Sequence, residues 1–338
     1  MESLAKKKVV TFGEVMMRLS PPGVATFAQA QSADITYGGG EANVSVALAY
    51  MGLQACHVTR FPDNNLGKAA TQFLRHHWVD TSYVIYGDHH LGLYFLEKGA
   101  IHRSSQIVYQ REGSSFSKIQ PDMVDWTEIL KEADWFHWTG ITPAVSQGAA
   151  ACCAQAIKTA NKLGVTVSGD IHSRSSLWNY GKDPRDIMRA LIDGTDIVIA
   201  SQFDMDKYAD AVKSEKGSFI DQASQFMKEF GRIKKVIDKD RISVSGSHNR
   251  IKGKLWNGQQ LFESEEYDIT PIVDRVGTGD AFAAGLIYGM LHHEDAEAIR
   301  FATAACTLKH SIEGDANLVS EKAVLKLLTG DLSGKIQR

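Results

Sequence analysis

Short apolar runs alternate with stretches of helical periodicity along most of the chain, and their order predicts the architecture. "KKVVTF" stops at Gly13 and reads as a buried strand. After a polar, proline-containing segment, "ITYGGGEANVSVALAYMG" sets three glycines before an Ala- and Val-rich helix closed by Gly52. "ACHVTRF" predicts strand and "LGKAATQFLRHHW" helix, so the chain opens as a βαβ series. The series breaks between about Ser82 and Phe116, where "SYVIYG", "LGLYFLEKG" and "SQIVYQREG" predict short strands, hence a small sheet packed beside the main one.

The alternation then resumes. "ADWFHWTG", "VTVSGDI" and "TDIVIAS" predict strands, separated by helices near Ser146 to Leu163 and Pro184 to Ile192. "MDKYADAV" and "FIDQASQFMKEFG" add helices, and "KKVID", "RISVSG", "KGKLWNG" and "QQLFES" predict four further strands with a turn at Asn257 and Gly258. The last third closes on the helices "GDAFAAGLIYGML", "DAEAIRFATAACTLKH" and "SEKAVLKLL". The expectation is one α/β domain over residues 1–338, doubly wound and mostly parallel, flanked by helices and carrying a small strand-built accessory. In such sheets ligands sit outside the carboxyl ends of the strands, so the turns there are the candidate site.

Composition narrows the partners. With 338 residues, 23% charged and a net charge of −3, the chain has no field to hold nucleic acid or an anionic membrane nonspecifically. An anionic substrate must then be met by local cations. No apolar run approaches the roughly 18 residues of a membrane span, and "MESLAKKKVVTF" lacks a signal-peptide core, so a cytoplasmic location is expected. Cys56, Cys152, Cys153 and Cys306 show no CxxC spacing and read as reduced, buried small hydrophobes. The histidine pairs at 76–77, 89–90 and 292–293 have no partner at metal-ligand spacing.

The candidate chemistry lies in the turns. There is no GxGxxG after the first strand and no GxxxxGK[ST], which argues against the usual nicotinamide and phosphate-loop sites. "DRVGTGDAFAAG", Asp274 to Gly285, places two glycines and an acid before an apolar helix. Asp280 there is either a helix cap or a base beside an anion-binding helix N-terminus, and the stretch alone fits both. "YQREG" puts Tyr109 and Arg111 two apart on a predicted strand, facing the same way. Arg174 follows the strand that ends near Asp170, at the expected ligand edge.

"GGGEANVSVALAYMG" with "DNNLG", and "DRVGTGDAF" near the other end, together resemble the two signatures of the ribokinase-like, phosphofructokinase-B type sugar kinases. "YGGGEANV", "YQREGS", "SRSSLW", "SHNRIKG" and "LKHSIEGDANLVS" are similar to the subgroup acting on 2-keto-3-deoxygluconate, and the likeness runs from about Val9 to Ser320. The resemblance implies a ribokinase-like fold with a β-sheet lid built near 18–37 and 83–110, pairing into a homodimer or higher assembly. It implies transfer of the γ-phosphoryl of ATP, with Mg²⁺, to the 6-hydroxyl of that sugar acid. Carried over, Asp280 is the general base, and the backbone of Gly277, Thr278 and Gly279 the anion hole. Gly38, Gly39 and Asn43 line the sugar pocket, while Tyr94, Tyr109, Arg111 and Arg174 hold the acid end. Ser245, Gly246 and His248 approach the nucleotide.

Three departures stand out: "PDNNLG" replaces Gly-Asp-Asp-x-x-Gly, Ser201 to Asp204 replaces the Asn-x-x-Glu associated with Mg²⁺, and Arg275 stands where Thr is frequent. The metal ligands are therefore left unassigned. The alternatives are a kinase of a neutral sugar such as fructose or ribose, and a noncatalytic sugar-acid sensor on the same fold. A dehydrogenase is a remote third.

Overall fold

The computed structural model describes residues 7–172, 177–210 and 217–330. Its main sheet has nine strands. Lys8–Phe12 lies between Gln54–Val58 on one side and Trp135–Thr139 on the other, and beyond the latter follow Thr166–Asp170, Ile197–Ile199 and Lys235–Ser245, all parallel. His248–Trp256 then pairs antiparallel with Lys235–Ser245 and carries Leu261–Glu263 and Tyr267–Ile269. The winding direction reverses at Lys8–Phe12, because the chain first adds a strand on one side of it and later returns to the other. That reversal is the crevice where a doubly wound sheet takes its ligand.

The inner strands are buried on both sides because helices cover both faces. One core packs Val10, Phe12, Phe136, Trp138 and Val167 against the helices Gln147–Leu163 and Phe219–Glu229. The other packs Val9, Trp135 and Ile237 against Gly40–Tyr50, Thr278–His292 and Asp295–Lys309. Each large apolar side chain buried this way contributes about 1.5–3 kcal/mol. The framework holding the crevice is therefore fixed by burial.

A separate four-stranded sheet stands over the crevice, in the order Asp34–Gly38, Met16–Ser20, Leu93–Glu97, Gln106–Gln110. This is the expected accessory sheet, with one correction. Ile85–Gly87, the strand foreseen in "SYVIYG", is not in it but pairs with Arg60–Pro62. The Ile85 N–H donates to the Thr59 carbonyl at 3.0 Å and the Asp63 N–H to the Gly87 carbonyl at 2.8 Å, so the segment is captured by the nearer free edge. "KKVID" and "RISVSG" are likewise one continuous strand, Lys235–Ser245. The helix foreseen in "MDKYADAV" runs Gln202–Tyr208, starting earlier because Ser201 and Asp204 close a capping box, and Ala211 and Val212 lie outside the described residues. Among the described residues no helix is long and apolar enough to cross a membrane.

Candidate active site

A cavity of about 600 Å³ opens between the lid sheet and the carboxyl ends of the parallel strands. The helix Thr278–His292 points its N-terminus into it. Gly277 precedes that helix with φ of 76°, and a methyl group added to it would meet the Asp315 carbonyl oxygen at 1.7 Å, so the turn requires glycine twice over. The N–H groups of the first turn have no intrahelical acceptor, and the helix dipole adds positive potential. Asp280 sits in this first turn but is not the cap: Gly277 holds that position and no side chain caps the helix. The capping alternative for Asp280 therefore falls. Instead its Oδ2 accepts a hydrogen bond from Nδ2 of Asn43 at 2.7 Å, across 237 residues of sequence. The glycine-rich N-terminal motif and the C-terminal acidic motif thus meet at one contact.

Gly38 and Gly39 line the cavity beside this contact. Their immediate reason for being glycine is packing, since added methyl groups would meet the Asp315 carboxylate at 2.1 Å and the Glu14 carbonyl at 2.0 Å. Tyr109 and Arg111 both line the cavity, as their spacing predicts. The Arg111 fork is nevertheless already engaged. Its Nε donates to Glu14 Oε2 at 2.8 Å and a second nitrogen contacts the same oxygen, while the Ser114 hydroxyl holds the other Glu14 oxygen at 2.5 Å. Glu14 is 4% exposed, so leaving Arg111 unpaired would strand a buried carboxylate. Tyr94 lines the cavity with its ring, but its hydroxyl donates to Asp315 rather than facing open space. Arg174 lies outside the described residues.

Ser245, Gly246 and His248, expected to approach the nucleotide, stand at the turn between Lys235–Ser245 and His248–Trp256 and do not themselves line the main cavity. The Gly246 N–H donates to the Ile101 carbonyl at 2.6 Å, the Ser245 carbonyl accepts from Arg275, and His248 pairs with Asp268. The residues of that hairpin that do reach the cavity lie deeper in its first strand: Asp238, Lys239, Asp240 and Arg241. Strand alternation separates them. Asp238 and Asp240 are held by Lys254 at 3.5 and 2.8 Å, leaving Lys239 and Arg241 without an ion pair among the described residues. Arg275 lines the same end, and burial together with Arg241 lowers its pKa. Three cations thus line the cavity into which the helix N-terminus opens.

Sequence reading passed over this set because charges inside "KKVIDKDRISV" look like a break between strands. It also passed over Glu14, although a carboxylate directly after the first strand stands at the expected ligand edge.

Two further carboxyl environments complete the site. Glu41 is 1% exposed and accepts from the Thr139 N–H, the Thr139 hydroxyl and the Thr142 hydroxyl at 3.1, 2.8 and 2.6 Å. Burial still pushes its carboxyl up to about 7. His172 pairs with Asp170 at 2.6 Å, and Asp170 raises its pKa against the opposing effect of burial. Ser201 and Asp204, standing where a metal-associated pair was sought, use Asp204 Oδ2 in the capping box. Among the described residues no group of three or more His, Cys, Asp or Glu side chains could hold a metal alone. The four cysteines are free and buried, as expected.

With this geometry in place, likeness to known proteins becomes informative. The sequence pattern described as pfkB family carbohydrate kinase matches residues 6–321. The chain is 30% identical over 328 residues to the 2-dehydro-3-deoxygalactonokinase of Haloferax volcanii, covering 97% of this chain and 98% of that one. It is 27% identical over 281 residues to the 2-dehydro-3-deoxygluconokinase of Thermoproteus tenax, covering 82% and 80%. The crystal structure of the Thermotoga maritima 2-dehydro-3-deoxygluconokinase superposes with a TM-score of 0.90 at 39% identity, covering 96% of this chain and all of that one.

Proposed function

The chain belongs to the pfkB family of carbohydrate kinases, and on that premise we propose that it is an ATP-dependent kinase of a 2-keto-3-deoxy sugar acid, with 2-keto-3-deoxygluconate phosphorylated at its 6-hydroxyl. The observation that carries this reading is the Asn43–Asp280 contact of 2.7 Å at a helix N-terminus that opens into the cavity. Asn43 donates to one carboxylate oxygen of Asp280 and so orients the other. Asp280 takes the proton of the sugar hydroxyl as its oxygen bonds to the γ-phosphorus and the bond to ADP breaks, a role worth on the order of 10² to 10⁴ in rate.

The N–H groups of Gly277, Thr278 and Gly279 meet the charge on the phosphoryl oxygens, and Lys239, Arg241 and Arg275 hold the phosphate chain. Magnesium is usually held by one or two carboxylates plus substrate phosphates, a requirement that Asp170 and Asp238, both lining the cavity, fit; these two would hold Mg²⁺, which when bound would supply positive charge to offset that of the phosphates. Met16, Gly38, Gly39, Tyr109 and Arg111 line the sugar end. The substrate carboxylate reaches the Arg111 guanidinium in competition with Glu14, and Arg174 is the second cation proposed for it.

The outer face of the lid carries the cross-strand row Ile35, Leu19, Phe95 and Val108, of which Ile35 and Val108 are 61% and 63% exposed. This supports pairing of lids between two copies, and a single-subunit mass in solution would overturn that part.

The Haloferax relative's name favours a second reading, the galacto epimer as substrate. An ADP-release assay with 2-keto-3-deoxygluconate, its galacto epimer, fructose and ribose tests both. Turnover is expected with the sugar acids. Turnover of fructose or ribose with neither acid would sink the proposal.

A further inference from the structure

Four buried side chains that the chemistry above leaves unused bind the lid to the anion turn. Arg18 and Tyr94 are cross-strand neighbours on the inner face of the lid sheet. Arg18, 1% exposed, donates to Asp315 Oδ1 at 2.7 Å and to Asp274 Oδ2 at 2.9 Å, and the Tyr94 hydroxyl donates to the other oxygen of Asp315. Asp274 in turn accepts from the Val276 N–H at 3.0 Å, inside the turn that leads to Gly277, and from the Gly314 N–H at 3.2 Å. The Asp315 backbone lies against Gly277 and its carboxylate against Gly38, closely enough that neither glycine could carry a methyl group. Lys309, wholly buried, stands nearby with its Nζ on the Ile312 carbonyl at 2.9 Å.

One guanidinium and two carboxylates in such a place are a weak source of stability, because desolvating them offsets most of their attraction. Their geometry is what they supply. Arg18 is a rigid fork whose two ends reach two different acids, and both acids touch the segment that carries the anion turn. Although burial alone would lower its pKa, Asp315 and Asp274 raise it, so Arg18 stays charged and the three groups remain locked.

We propose that Arg18 and Asp315, with Tyr94 and Asp274, are positioning residues that transmit the seating of the lid to the Gly277–Gly279 turn, so that the anion hole is aligned when the lid strand Met16–Ser20 is in place. This rests on the reading of that turn as the anion hole. It assigns the Tyr94 hydroxyl to the turn rather than to the sugar.

The test uses Tyr94→Phe, Arg18→Lys and Arg18→Ala in the full chain, each checked for an unchanged circular dichroism spectrum. At saturating ATP and sugar, kcat of the Arg18 variants is expected to fall about 100-fold, the cost of displacing a reacting group by around an ångström, with both KM values within about threefold of wild type. Tyr94→Phe should fall less, in the same pattern. Guanidinium ion at non-denaturing concentration should restore part of kcat to Arg18→Ala alone. Folded Arg18→Lys and Tyr94→Phe with wild-type kcat would overturn the inference, and so would a loss lying entirely in the sugar KM. If Arg18→Ala fails to fold, the other two variants decide. Absence of kinase activity in the wild type would overturn both this inference and the reading it rests on, whereas wild-type turnover with unaffected variants overturns this one only.

Discussion

The two ends of the cleft handle charge in opposite ways. At the proposed sugar end and beneath the lid, Arg111 is paired with the buried Glu14, and the buried Arg18 with Asp274 and Asp315. At the nucleotide end, Lys239 and Arg241 project from a strand whose acids are taken by Lys254. Paired buried charges fix geometry, since moving either partner strands the other. Cations without a carboxylate partner are available to an incoming polyanion. The cleft thus separates a half that positions from a half that binds, and Asp280, held by a neutral amide, stands where they meet.

The largest effect is expected at that junction. Asp280→Asn should lower kcat by about 10² to 10⁴ while both KM values change little, because the base acts only in the transition state. Steady-state kinetics check this, and a variant with nearly full kcat would remove Asp280 from the chemistry. A smaller effect is expected in the binding half. Lys239→Met loses one charge-assisted contact of about 1.5–3 kcal/mol, so the KM for ATP should rise roughly 10- to 100-fold while the sugar KM holds. A rise in the sugar KM instead would erase the division between the halves.

Much of this was legible in the sequence for identifiable reasons. The alternation of strand and helix gave the doubly wound sheet, and "GGGEANV" with "DRVGTGDAF" marked Gly38, Gly39, Asn43, Gly277 and Asp280, all of which line one cavity. Those motifs are contiguous runs of sequence, and at Gly277 the positive φ of the turn itself demands glycine. What sequence could not show is pairing at a distance. Arg18 and Asp315 are 297 positions apart and Glu14 and Arg111 97 apart, so neither the locked fork nor the lid anchor leaves a local trace. Ser245 and His248 were expected at the nucleotide only from the family resemblance. The structure fills their turn with Ile101, Arg275 and Asp268.

Transfer of a phosphoryl group onto the terminal hydroxyl of a sugar acid can be read from phosphorus and proton NMR of the product formed from ATP and 2-keto-3-deoxygluconate. A phosphate monoester signal coupled to the two protons on C6, formed in step with ADP, is expected. Inorganic phosphate alone, or an ester at another carbon, would contradict it.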